Sequence, residues 1–328
     1  MSFFAILFAL LLEQVRPLSP GNPVHAMLRA WARWVRRNFD TGRAHHGGFA
    51  WVMAVLLPAA ITLAVHWTLL WWVGWPLAVL WNVAVLYVTL GFRQFSHHFT
   101  DIRDALDAGD EARARELLAG WQQVNAADLP KREIVRHVIE YSVLAAHRHV
   151  FGVLCWFSLL AAFGLGPTGA VMYRLSEFVG RYWNYKSATQ QQPVSEALQT
   201  AANQAWRVLD WLPARITALG FAVVGSFEDA IEAWRAQAQL DPQDSDAIIL
   251  AATAGAINVR LGGETLVPAF ASAPAQGLHE GAPEPLTSAT AGREPELAHL
   301  RSVVGLVWRS VVMWLVLLAL LTLARLLG

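Results

Sequence analysis

From residue 49 to residue 92 the chain carries no Asp, Glu, Lys or Arg. At about 1.5 Å per helical residue, such a run is roughly twice what one membrane span needs. Gly74, Trp75 and Pro76 interrupt it near the middle, among Trp67, Trp71, Trp72 and Trp81. Gly and Pro break helices, and indole rings favour the boundary between lipid and water. The stretch therefore predicts two apolar helices joined by a tight turn. We expect an all-α, polytopic integral membrane protein with four or five membrane helices and helical cytoplasmic regions.

Charge usage points the same way. Only 15% of the 328 residues are charged, against about 25% in soluble domains. Lys plus Arg and Asp plus Glu balance at 25 each, so the chain lacks the basic signature of a nucleic-acid binder. Cys155 is the single cysteine and has no partner for an internal disulfide. His45-His46 and His97-His98 are adjacent pairs. Neighbours on a helix point apart, so no metal site is expected. No P-loop or dinucleotide fingerprint occurs.

Six segments follow along the chain. Residues 1–47 open with a short apolar helix ended by Glu13, Arg16 and Pro17. A basic segment follows, in which Trp31 and Trp34 stand among arginines as in an interfacial amphipathic helix. Residues 48–92 are the transmembrane hairpin. Residues 93–148 read as a polar helical region, with Thr100 as a possible cap. Its basic residues place it, like the N-terminal segment, on the cytoplasmic side. Residues 149–264 hold a second apolar hairpin that turns at Gly166-Pro167, then an apolar stretch at 206–225. In that stretch Asp210 reads as a helix N-cap, with Pro213 and Arg215 in the first turns. Residues 245–260 read as a soluble, Ala-rich helix. Residues 265–300 are Pro-, Gly- and Ser-rich and predict a linker, and 301–328 a last transmembrane helix. If 206–225 spans rather than dips, the C-terminus changes sides. The expected location is a bacterial inner membrane, crossed several times. The expected partners are the lipid bilayer and an amphiphilic small molecule, not nucleic acid.

Ionisable groups in or beside membrane segments are costly and mark protein interiors or water-filled cavities. The candidates are Glu13, Glu140, His147, Arg148, Arg174, Glu177, Asp210 and Arg215, organised around residues 131–181. Arg174 and Glu177 are three apart and share a helix face. That spacing suits an internal ion pair that fixes packing, or an arginine fork for carboxylate or phosphate. Glu140 and Asp210 suit a metal ligand or a base.

Several stretches resemble a known family. Residues 209–219 (LDWLPARITAL) are similar to the D…PARLTAL signature of the CobD/CbiB family, and 254–263 (AGAINVRLGG) to its AGALGVRLGG stretch. Asn22, Pro23 and Val24 stand where the family often has His-Pro-Val. Ile134, Val135, Arg136 and Glu140 resemble the start of its central helix. The resemblance implies amide ligation of aminopropanol to the corrin carboxylate of adenosylcobyric acid, with ATP and Mg²⁺ as the implied cofactors. The synthases carry a run like E-x-V-A-E-N-T-x-D-G on the central helix. Here Glu140 is followed by YSVLAAHRHVFG (141–152), without the second Glu, the Asn or the Asp. Glu13 stands for the Asp of the family's D-R-L pattern, and Asn22 for its His. Acidic groups hold Mg²⁺ against phosphates, so these replacements resemble AmpE, the divergent branch. That branch implies a regulatory, sensory or scaffold membrane protein linked to cell-wall or β-lactamase signalling. The alternative is a divergent cobalamin-biosynthesis synthase. A transporter ranks last, because no internal repeat is evident.

Overall fold

The computed structural model describes residues 2–16, 23–189, 194–263, 266 and 290–327. Asn22, Pro193 and most of the linker expected at 265–300 lie outside them. All regular structure among the described residues is helical, apart from one isolated bridge between Val259 and Arg293. Among the described residues, three helices are long and apolar enough to cross a membrane: His45–Trp72, Lys131–Ala162 and Leu297–Ala324. Phe3–Val15, Trp75–Thr89 and Ser245–Ile257 are shorter apolar helices. The chain is therefore an all-helical membrane protein.

One compact unit comprises Met1–Gln94, Arg148–Pro213 and Trp314–Gly328. Helix α1 (Ser2–Val15) packs against α4 (Trp75–Thr89), and α2 (Pro23–Phe39) against α3 (Ala44–Trp72). The turn between α3 and α4 falls at Gly74-Trp75-Pro76, as the sequence predicts, with Pro76 in the first turn of α4. Helix α8 (Gly152–Ala162) packs on α9 (Thr168–Thr189), which also lies against α3. Ala32, Ala50, Ala54, Leu175, Val179, Trp183 and Ala202 form its core. Alanines let helix backbones approach closely, and the fully buried Trp183 fills the space left between them.

The other unit comprises Phe95–His147 and Ala214–Met313. It holds most of α5 (Phe92–Asp107), then α6 (Glu111–Gln122), α7 (Lys131–Ala146), α11 (Phe227–Leu240) and α12 (Ser245–Ile257). Asp110 caps α6 by accepting from the Arg113 N–H at 2.9 Å, and Asp244 caps α12 by accepting from the Ala247 N–H at 2.9 Å. Helix α12 packs on α11 and α7 and is buried along almost its whole length. It is a core helix rather than the soluble helix that its length and alanine content suggested. Its backbone at Gly255 lies directly on Asp229 and Ala230 of α11, a spacing no larger residue fits.

Two further corrections concern helix starts. Thr100 is no cap: it lies inside α5. No helix begins at Asp210 either, because α10 runs from Glu196 to Val224 with Pro213 in its interior. Proline cannot donate to the carbonyl four residues before it, here that of Leu209. The Trp156 indole N–H donates to that carbonyl instead, at 2.9 Å, and the helix continues. Helix continues from α7 into α8 past 148/149, close to where the two compact units divide. Between α7 and α8, His147–Phe151 form a π-helical turn, which fits extra backbone into a helix without ending it. The last helix, α13, spans Leu297–Leu327.

Candidate functional site

Helix α7 carries Glu133, Arg136, His137 and Glu140 at spacings of three and four, so all four share one face. Arg136 is the hub. Its Nε and Nη2 reach Glu133 at 2.8 and 2.6 Å, and its Nη1 reaches Glu140 Oε1 at 3.3 Å. The same Nη1 donates to the Gly262 carbonyl at 2.5 Å, and Nη2 donates to His137 Nε2 at 3.1 Å. With Nε2 accepting, His137 carries its proton on Nδ1, which donates to Glu140 Oε2 at 3.1 Å. Glu140 Oε1 also accepts from the Gly262 N–H at 2.7 Å. Both carboxylate oxygens of Glu140 are thus engaged. Arg136, His137 and Glu140 are all buried. Buried charges persist only when paired and hydrogen-bonded, as these are.

The loop after α12 makes this possible. Asn258 closes α12 in the left-handed conformation. The Arg260 N–H donates to Arg293 at 2.8 Å, and Leu261 exchanges hydrogen bonds with Thr290. This pins the described end of the expected linker beside the loop. Gly262 and Gly263 then take φ of +80° and +108°, which other residues rarely adopt. The turn they make aims the Gly262 N–H and carbonyl at α7.

Beside this cluster lies a cleft of about 640 Å³. Arg132, Arg136 and Arg260 line it together with Asp128, Glu133, Glu294 and His137. Arg132 and Glu294 pair at 3.4 Å and are both well exposed. Three guanidiniums suit phosphate or carboxylate recognition. Three carboxylates in the same cleft suit a Mg²⁺ that keeps its waters and shares substrate phosphates. Among the described residues, no group of three or more His, Cys, Asp or Glu is gathered tightly enough to hold a metal by itself.

The eight candidates from the sequence separate as follows. Glu140, His147 and Arg215 lie in the unit of α7 and α12. Glu140 joins the cleft cluster. His147 is fully buried and shares a hydrogen bond of 2.9 Å with Thr217. Arg215 donates to the Pro242 carbonyl. Glu13, Arg148, Arg174, Glu177 and Asp210 lie in the other unit. There Arg174 pairs with Glu177, and Arg181 pairs with it from the next turn at 2.8 Å. Asp210 accepts from the Tyr173 hydroxyl at 2.7 Å. Glu13 is buried, and Arg148 sits in the π turn. Arg136, His137 and Gly262 were not among the candidates. The i, i+3, i+4 pattern around Glu140 would have found the first two. Tyr173, in an apolar stretch, had no signal.

Residues 3–292 match the CobD/Cbib protein family. The chain is 30% identical over 324 residues to a protein of Stutzerimonas stutzeri named cobalamin biosynthesis protein CobD, covering 96% of each chain. It is 32% identical over 214 residues to the Chromobacterium violaceum protein of that name, covering 63% of this chain and 62% of that one. The Yersinia enterocolitica protein of the same name is 28% identical over 200 residues, 58% of each chain. No solved structure matches. With most of its length accounted for by one family, the chain belongs to the CobD/Cbib family.

Proposed function

We propose that this chain is a cobalamin-biosynthesis ligase of the bacterial inner membrane, joining aminopropanol to the corrin carboxylate of adenosylcobyric acid. One observation carries the reading. Two of the stretches that resemble the family, Ile134 to Glu140 and 254–263, meet in one cluster beside a charged cleft. ATP and Mg²⁺ would supply the activation of the carboxylate. Arg132 and Arg260 would hold phosphate or carboxylate oxygens by charge-assisted hydrogen bonds. Asp128, Glu133 and Glu294 would share the cation. Glu140 would act as an organiser, since its oxygens are committed to Arg136, His137 and Gly262. The relatives named cobalamin biosynthesis protein CobD support this assignment over a purely regulatory one.

The test is growth of a strain lacking its cobinamide-phosphate synthase, under corrinoid limitation. Expression of this chain restores growth under this reading, and Arg132→Ala with Arg260→Ala abolishes the rescue. A second reading, an AmpE-type regulatory or scaffold protein, is favoured by the apolar residues that follow Glu140 on α7 in place of the acidic run. That reading predicts no rescue by a well-expressed, membrane-inserted chain.

A further inference from the structure

The polar cluster on α7 closes on itself. His137 Nδ1 donates to Glu140 Oε2 at 3.1 Å, and Glu140 Oε1 accepts from the Gly262 N–H at 2.7 Å. The Gly262 carbonyl accepts from Arg136 Nη1, and Arg136 Nη2 donates to His137 Nε2 at 3.1 Å. The hydrogen bonds thus form a ring through three residues of α7 and one of the glycine turn. Most of its members have fixed roles. A guanidinium only donates, an ionised carboxylate only accepts, and the N–H and carbonyl of Gly262 do one each. An imidazole nitrogen can take either role. The ring therefore closes only when His137 is neutral with its proton on Nδ1.

The surroundings make this choice matter. His137 is 2% exposed, and its ring lies nearly parallel to that of Tyr141, with centroids 6.0 Å apart. Trp121 of α6 meets Tyr141 edge-on at 6.2 Å. Little water reaches the imidazole to replace it as an acceptor. Without Nε2, a buried charged N–H of Arg136 would lack a partner, which is costly and favours turning the guanidinium away. That turn would take Nη1 from the Gly262 carbonyl. It would also take it from Gly263, where a Cβ would stand 3.5 Å from Nη1. Arg260 stands two residues before Gly262, with its own N–H held by Arg293, and lines the cleft with Arg132. The glycine turn thus sets where Arg260 stands relative to α7.

We propose that His137 is the positioning residue of the cleft: as a neutral imidazole protonated on Nδ1, it locks Arg136 onto the Gly262 turn and so holds Arg260 in place for a phosphate-bearing ligand. Arg136 has its N–H groups committed to Glu133, Glu140, Gly262 and His137. The phosphate oxygens therefore fall to Arg132 and Arg260. The nature of the ligand rests on the ligase reading; the ring does not.

The experiment uses the full chain in nanodiscs. His137→Gln keeps an acceptor near the place of Nε2, His137→Asn keeps a donor near the place of Nδ1, and His137→Leu keeps neither. Hydrogen exchange of residues 254–263 reads the turn, and calorimetry with Mg²⁺ and inorganic pyrophosphate reads the cleft. The expected result is slow exchange in the parent and in His137→Gln. In His137→Asn and His137→Leu exchange should be faster on the order of tenfold, and pyrophosphate binding about tenfold weaker. Nitrogen NMR spectra of histidine-labelled protein should show a protonated Nδ1 and a bare Nε2 for His137, the signals being those lost in His137→Gln. Equal exchange in parent and all variants would overturn the proposal. So would His137→Gln falling as far as His137→Leu, or a protonated Nε2 in the parent. Should the exchange pattern hold while pyrophosphate binds to none of the proteins, parent included, the positioning of the turn is supported and the phosphate ligand, with the ligase reading, is what fails.

Discussion

The indole N–H of Trp31 donates at 3.3 Å to the carbonyl of Ala54, the acceptor that Pro58 leaves without its helical partner. Trp156 does the same for Leu209 below Pro213. In both long helices a tryptophan from another helix replaces the missing backbone donor. In α3, which is long and apolar enough to cross a membrane, lipid would leave no water at hand to do so. Trp31→Phe keeps the ring's bulk but strands the carbonyl. It should cost about 1–3 kcal/mol, read as a lower unfolding temperature in detergent. Trp34→Phe, at an exposed position on the same helix, should change it little. Equal effects from the two would contradict this account.

The pairing of Glu140 with Gly262 sets the second expectation. Glu140→Ala removes the carboxylate from a buried arginine, a loss of about 3–5 kcal/mol when no other partner remains. Arg136 keeps Glu133, so the low end is expected. Glu140→Gln retains an acceptor for the Gly262 N–H and should be clearly milder. Circular dichroism melts of both variants decide it; identical melts would show that the Gly262 bond contributes nothing.

Tyr173 lies where a Cβ on Gly152 would go, and its hydroxyl holds Asp210. Gly152→Ala should displace the ring, break that bond and cost about 1–3 kcal/mol. Gly120→Ala, in α6 with open space around it, should instead stabilise by about 0.5–1 kcal/mol. Opposite signs are the expected outcome of chemical denaturation; a neutral Gly152→Ala would refute the close packing.

How much of this was legible in the sequence depended on whether the signal was local. The hairpin was legible, because Gly74 and Pro76 break a helix by their own geometry. Pro213 and Asp210 were misread for the opposite reason. Local chemistry favoured a helix start there, and only Trp156, far away in the chain, reverses it. The cleft was half legible: Glu140 and the 254–263 stretch were recognised by resemblance, but not that Gly262 turns its N–H onto Glu140. Helix α12 has the short, Ala-rich composition of many soluble helices, and its burial comes from what packs on it.

Asp244 gives a pH-dependent test. Burial raises its carboxyl above the usual range, opposed by the hydrogen bond from Ala247 and helped by Asp246 and Asp241. A carboxyl with a raised folded pKa favours the folded state when protonated. That contribution is present below its ordinary value of 3.8 and is lost as pH rises through the folded value. Asn caps a helix as well as Asp and does not titrate. Asp244→Asn should therefore gain stability relative to the parent as pH rises through that range, then level off. Asp244→Ala should lose about 1 kcal/mol at neutral pH. A pH-independent difference between parent and Asp244→Asn would show that burial of this carboxyl has no energetic consequence.

The most direct measurement is product formation by the purified chain in nanodiscs, given adenosylcobyric acid, an aminopropanol donor and ATP with Mg²⁺. Mass spectrometry should show a corrinoid that has gained the aminopropanol unit. The rate should fall about tenfold or more in Arg132→Ala with Arg260→Ala. A folded, monodisperse protein that forms no such product, and by calorimetry binds neither ATP with Mg²⁺ nor adenosylcobyric acid, would contradict the assignment.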